Sequence, residues 1–130
     1  MKTKEDIESF LVQAGLPHQE VQEGTWVVGG EDDAHKIVLR LEPPVLVCRI
    51  NVMDVPDRDK EELFRTLLSL NVSDMLHGAY GLEDNKVILT DALELENLDF
   101  NEFQATVEDI ALAVVSHHPL LAKFREPAAA

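Results

Sequence analysis

Apolar residues recur along this chain with two different periods, and the changes of period mark its elements. Ile7, Phe10, Leu11 and Ala14 fall on one stripe at helical spacing. Thr3 followed by Asp6 approximates a capping box ahead of them, the shorter Asp replacing the usual Glu, and Gly15 is placed to stop the helix. A first helix is therefore predicted over 4–14, with 16–20 a connector through Pro17. The period then drops to two. Three strand-like runs follow: Val21 to Val28 with Trp26, Lys36 to Leu41 with Ile37, Leu39 and Leu41 on one face, and Val45 to Met53. The polar loop Gly29-Gly30-Glu31-Asp32-Asp33 separates the first two, and Pro43-Pro44, which cannot donate to a ladder, separates the second from the third. This spacing suits consecutive antiparallel hairpins.

Helical spacing returns after Pro56 and Asp57. Leu63, Leu67 and Leu70 make a buried stripe that Phe64 and Leu68 widen, and Asp59, Glu61 and Glu62 sit where a helix dipole favours acids. Asn71 is the expected C-terminal stop. Two strands joined at Asp84-Asn85 follow, because both residue types tolerate the left-handed conformation of a tight hairpin. Gly78 and Gly81 do not form a phosphate loop, since a strand and not a Lys-bearing helix comes after them, and His77 reads as a strand-start residue. Val87, Leu89, Leu93 and Leu95 share a parity on which Asp91 also falls. Either a bulge intervenes there or the strand has left the core. Asp99 with Glu102 again approximates a capping box, and Phe103, Val107, Ile110 and Val114 predict a last helix over 100–117, ending before Pro119. The order α-β-β-β-α-β-β-α predicts an α+β fold, one antiparallel sheet packed with helices, in a single domain over 1–126 with 127–130 a disordered tail.

Composition narrows the function. The chain has 130 residues, 45% of them hydrophobic but only 5% aromatic, so the core is expected to be mostly Leu, Val and Ile. With 25 acids against 11 bases, the net charge is -14, which repels phosphate backbones and anionic membranes; neither nucleic acid nor membrane is an expected partner. No run reaches the roughly 18 apolar residues of a spanning helix. The N-terminal lysines have no apolar stretch behind them, so they do not read as a signal peptide. Cys48 is the only cysteine, which fits a reducing, cytoplasmic setting.

Several clusters invite a chemical reading. The acids from Asp54 to Glu62 fail a calcium loop, because counting from Asp57 puts Glu62 where glycine is required; they suit a solvated helix start. His117 and His118 are adjacent, whereas helical metal ligands sit at i, i+3 or i, i+4, so they read as residues that a helix C-terminus favours in protonated form. His35, beside an acidic loop, reads as exposed. Cys48 lies mid-strand with no neighbouring base to activate it. No catalytic, cofactor or metal residue is expected, and the chain does not read as an enzyme.

The third strand run stands apart. Leu46, Cys48, Ile50 and Val52 make a fully apolar face, while the other face carries Val45, Val47, Arg49, Asn51 and Met53, too apolar for open water and too polar for a core. Val27 and Val38 add to that side. The mixed face is open to three readings: incidental surface aliphatics, cover by a helix of the same chain, or a surface for another chain.

Two stretches carry a family resemblance. "LLSLN" over 67–71, followed by "HGAYGLEDNKVILTDALELENLDFNEFQATVEDIALAV" over 77–114, resembles the second half of the type III secretion chaperone-like fold, which includes the CesT (Tir chaperone) family and the YbjN domain proteins. The shared features are a helix ending in Leu-x-x-Asn, a small-residue strand "GAYGLE", a "VIL" strand, "LxLxxLD" and a closing amphipathic helix. The resemblance implies a bacterial, non-enzymatic homodimer whose sheet and helix patches hold an extended stretch of a partner protein, a secreted client in the chaperone branch. Val45, Val47, Arg49, Met53, Phe64 and Leu68 are the expected protein-binding residues. A small-ligand regulatory or sensory domain, with its site in the crevice between sheet and helices, is the alternative.

Overall fold

The computed structural model describes residues 1–30 and 35–125. The elements are α1 (Lys4–Ala14), β1 (His18–Gln22), β2 (Thr25–Val28), β3 (Ile37–Glu42), β4 (Val45–Asp54), α2 (Lys60–Ser73), β5 (Ala79–Glu83), β6 (Lys86–Glu94) and α3 (Phe100–Leu121), closed by a 3-10 turn over Ala122–Phe124. The six strands form one sheet in the order β1-β2-β3-β4-β6-β5, with antiparallel pairing throughout. This is the expected α+β architecture with one strand more. The run read as a single strand from Val21 to Val28 is a hairpin: β1 begins at His18, inside the supposed connector, and turns at Glu23-Gly24, where Gly24 has φ 77°. The expected loop residues Glu31, Asp32 and Asp33 and the expected tail over 127–130 lie outside the described residues.

The core forms between the sheet and the helices, on one face only. Ile7 and Leu11 of α1, Leu63, Leu67 and Leu70 of α2, and Phe103, Val107, Ile110 and Val114 of α3 join Trp26, Leu39, Leu46, Cys48, Ile50 and Leu89 in a single buried cluster. Local chemistry starts α1 as the sequence suggests. The Asp6 carboxylate accepts the Thr3 N–H at 2.8 Å, Asp6 N–H donates to Thr3 Oγ1, and Gly15 ends the helix at φ 70°. Asp99 Oδ1 accepts the Glu102 N–H at 2.7 Å to start α3.

Both later helices depart from their expected ends. α2 starts at Lys60, after Asp59 with φ 57°, and continues past Asn71 to Ser73. α3 does not stop before Pro119; it carries that proline in its last turn and ends at Leu121. Burial explains the extension, because Leu121 and Phe124 are almost fully enclosed and reach the core only if the helix continues. Pro119 gives up its own N–H bond to the carbonyl four residues earlier and its ring crowds that carbonyl, a cost that the burial of Leu121 and Phe124 offsets.

Neither reading of Asp91 holds. The pairing of β4 with β6 runs unbroken from Val45↔Glu94 to Asn51↔Ile88, with Cys48 opposite Asp91, so the strand neither bulges nor leaves the sheet at that point. Asp91 is half-buried on the core side and its carboxylate takes the Ala92 N–H at 2.8 Å. Gly78 (φ 80°) lies over this spot, where a Cβ would come within 3.0 Å of the Thr90 carbonyl and 3.2 Å of Ile110. Glycine is needed there for close approach and not for phosphate binding. The irregularity in β4 falls at Val52, between Asn51 and Met53.

Candidate functional site

Among the described residues, no helix covers the second face of the sheet. Its side chains form cross-strand rows that follow from the register: Val27, Val38, Arg49 and Thr90 in one, and Thr25, Arg40, Val47 and Ala92 in the next, with Val45 between Glu42 and Glu94 beyond. Val27, Val38, Val45, Val47 and Arg49 are all half-buried, and none belongs to the buried cluster. They shield one another along the sheet without being enclosed. Cover by a helix of the same chain is thereby excluded among the described residues, and a continuous aliphatic strip is left facing outward.

Arginines border that strip. Arg49 pairs with the Glu83 carboxylate across β6 and β5, and Arg40 Nε meets Glu42 Oε1 at 3.1 Å. Lys36 and His35 stand at the end of the same depression. His35 is half-buried and not free, its Nδ1 lying 3.2 Å from the Asn51 carbonyl.

Met53 does not join Val45, Val47 and Arg49. The extra residue at Val52 sets Met53 opposite Val87, a fully buried position, and Met53 packs against the core cluster. A bulge shifts the alternation of every residue beyond it, which strict period-two counting does not register. Phe64 and Leu68 lie elsewhere again, on the outer side of α2. There Phe64 packs partly against the core while Leu68 is 64% exposed, and Val72, one turn further on, is 89% exposed. Together the three make an apolar stripe on a helix that otherwise carries Glu61, Arg65 and Ser69. Val72 was missed because Asn71 was read as the helix end, although its four-residue spacing from Leu68 was present in the sequence.

Asn71 has a different task. Its side-chain amide donates to the Tyr80 carbonyl at 3.1 Å and its Oδ1 accepts the Tyr80 N–H at 2.7 Å. The amide thus pairs with the outer edge of β5 as a neighbouring strand would. On the other side of this joint, Tyr80 Oη lies 2.7 Å from His117 Nδ1, and His117 Nε2 lies 3.4 Å from Asp74. His77 Nδ1 contacts Asp109 at 2.5 Å. These pairs tie the α2–β5 connection to α3. His117 is buried and His118 exposed, so the adjacent histidines diverge and share no ligand. Burial pushes the Tyr80 hydroxyl up to about 12, and it does the same to the Cys48 thiol, with the charge of Asp91 adding to the effect. Neither group supplies a nucleophile or a base at neutral pH. Among the described residues no group of three or more His, Cys, Asp or Glu could hold a metal ion, and no helix is long and apolar enough to cross a membrane.

Comparison with known proteins places this geometry. The family model CesT_Tir_1 matches residues 1–126. A search of curated proteins by sequence finds no match. Among solved structures, the chain is similar to one in the crystal structure of the ExsC–ExsE complex, with 20% identity, a TM-score of 0.69, and coverage of 93% of this chain and 97% of that one. It is similar to YbjN from E. coli at 13% identity and TM-score 0.68, covering 92% of this chain and 93% of that chain. A third similar chain lies in the heterodimeric ExoU–SpcU complex from the type III secretion system of Pseudomonas aeruginosa, at 16% identity and TM-score 0.68, covering 94% and 99%. At such identities the likeness to these structures is one of fold.

Proposed function

Because the chain belongs to the CesT_Tir_1 family, we propose that it is a non-enzymatic, chaperone-like protein-binding module that holds an extended segment of a partner protein on the open face of its sheet. The observation that carries the reading is the uncovered strip of Val27, Val38, Val45 and Val47, aliphatic enough to gain from cover and bordered by arginines. That similar chains occur in the ExsC–ExsE and ExoU–SpcU complexes supports a protein as the partner. The titratable contacts support a binding role over a catalytic one, because His117, Tyr80, His77 and Asp109 tie elements of the fold together.

The module acts as a twofold homodimer through α2. Phe64, Leu68 and Val72 form a stripe that a second copy covers with the same residues, as isologous interfaces do. The proposal includes cytoplasmic residence, with which the buried free thiol of Cys48 is compatible. A small-ligand sensory role has less support. The crevice between sheet and α3, lined by Val28, Ile37, Ile50, Val107 and Val114 among others, has a volume of about 260 Å³. Ligand pockets generally span roughly 300–1,000 Å³.

The test is retention. The tagged protein, expressed with a candidate client encoded beside it, retains that client through gel filtration, and the Val47→Glu variant loses it. Retention that is indifferent to Val47 sends the site elsewhere.

A further inference from the structure

The chain carries 25 acids against 11 bases, yet one depression on its open sheet face reverses that balance locally. Among the described residues, the depression around Val38 is bordered by Lys36, Arg40 and Arg49, with Glu83 as the one acid. Cations concentrated at one aliphatic strip of so acidic a molecule select what settles there. We infer that the segment held on this face is an acidic one, an extended stretch in which carboxylates alternate with aliphatic side chains. This rests on the proposed partner-binding role and specifies the partner's chemistry.

Geometry supports the match. Arg40 stands directly opposite Val47, and Arg49 is two residues further along β4, so the two guanidinium groups spring from a diagonal pair of positions. Such positions lie about 7–8 Å apart on a sheet. Alternate residues of an extended chain are spaced by about 6.6–6.8 Å, so acids at i and i+2 of a bound segment reach both arginines. The face already displays the interaction it would make. Arg40 holds Glu42 and Arg49 holds Glu83, with glutamate side chains that are 47% and 57% exposed. Exposed pairs of this kind are weak and exchange readily for a carboxylate that arrives with apolar neighbours to cover Val38 and Val47. Guanidinium groups also take carboxylates in two-point contact, which gives register as well as attraction.

The experiment uses short, end-blocked, fluorescently labelled peptides that alternate Val with Glu, Lys or Gln, followed by anisotropy on the intact protein. The Glu peptide should bind about tenfold tighter than the Lys peptide at low salt, as complementary charge at a partly exposed site provides. That preference should vanish in the Arg40→Gln/Arg49→Gln double variant, whose fold is checked by circular dichroism. A Lys peptide that binds as well or better overturns the inference. So does displacement of the Glu peptide by a single-stranded oligonucleotide through the same arginines. If all three peptides bind alike and Val47→Glu abolishes binding, the acidic preference is wrong while the partner-binding role stands. If none binds, the inference fails here too, and the role is judged by client retention alone.

Discussion

Replacing Asn71 with alanine should cost the fold more than its position near a helix end suggests. The side chain supplies two hydrogen bonds to Tyr80, one from the amide to the carbonyl and one from the Tyr80 N–H to Oδ1. Each bond contributes about 1 kcal/mol net, and a buried backbone group left without a partner adds a penalty of about 1–3 kcal/mol. Tyr80 is only 6% exposed, so water does not fully replace the amide. The expected loss is about 2–4 kcal/mol, a sizeable share of the roughly 5–15 kcal/mol that holds a domain together. Urea unfolding followed by circular dichroism reads it directly, with the midpoint lowered and the slope unchanged. Asn71→Asp keeps the acceptor and loses the donor, and should fall between. Ser73→Ala on the exposed side of the same helix serves as control. A loss below about 0.5 kcal/mol for Asn71→Ala, the range of ordinary surface substitutions, would refute the edge-pairing role.

Tyr80 is the only tyrosine, so tyrosinate absorbance reports it alone; it should titrate near 12 and not near 10 in the folded protein. Because the folded state holds the Tyr80 proton more tightly than the unfolded chain, stability falls as pH rises from about 10 towards 12, and Tyr80→Phe should flatten that slope. Cys48, pushed up to about 12, should resist thiol reagents at mildly alkaline pH and react only when the chain is unfolded; fast modification of the native protein would contradict its burial. Light scattering at tens of micromolar should give about twice 14.5 kDa, and Leu68→Glu should lower the mass to that of one chain. Chelation with EDTA should leave the melting temperature unchanged, whereas a drop of several degrees would show a metal in the fold.

The parts of this fold legible in the sequence are those set by neighbouring residues. Thr3 with Asp6, Gly15, the Asp84-Asn85 turn and the stripe of Leu63, Leu67 and Leu70 each work within a few positions, and each reappears in the structure. The errors come from contacts across the chain. α3 outruns Pro119 because Leu121 and Phe124 find room in the core, and Asn71 stays helical because Tyr80 takes its side chain. The β1–β2 hairpin was hidden for a local reason: Glu23-Gly24 is a short turn inside an alternating run, and only Gly24 marks it. At the candidate site, Val45, Val47 and Arg49 were placed correctly by parity, whereas the bulge at Val52 moved Met53 to the core side. The cationic border was out of reach of parity alone, because Arg40 and Arg49 meet only through the β3–β4 register.

The central claim is that the open sheet face is a surface for another chain, and Val47 decides it. Val47 is half-buried and stands opposite Arg40, so a glutamate there gains a cross-strand partner and the fold should keep its stability to within about 1 kcal/mol. Its neighbour Leu46 points into the core with no exposed surface, and a glutamate there costs several kcal/mol, of the order of the whole stability. The measurement is circular dichroism and gel filtration of Val47→Glu beside the unaltered protein, each expressed with the candidate client. The account predicts a variant that folds like the parent and elutes without its partner. A Val47→Glu protein that unfolds or precipitates as Leu46→Glu does, or that retains its client undiminished, would contradict it.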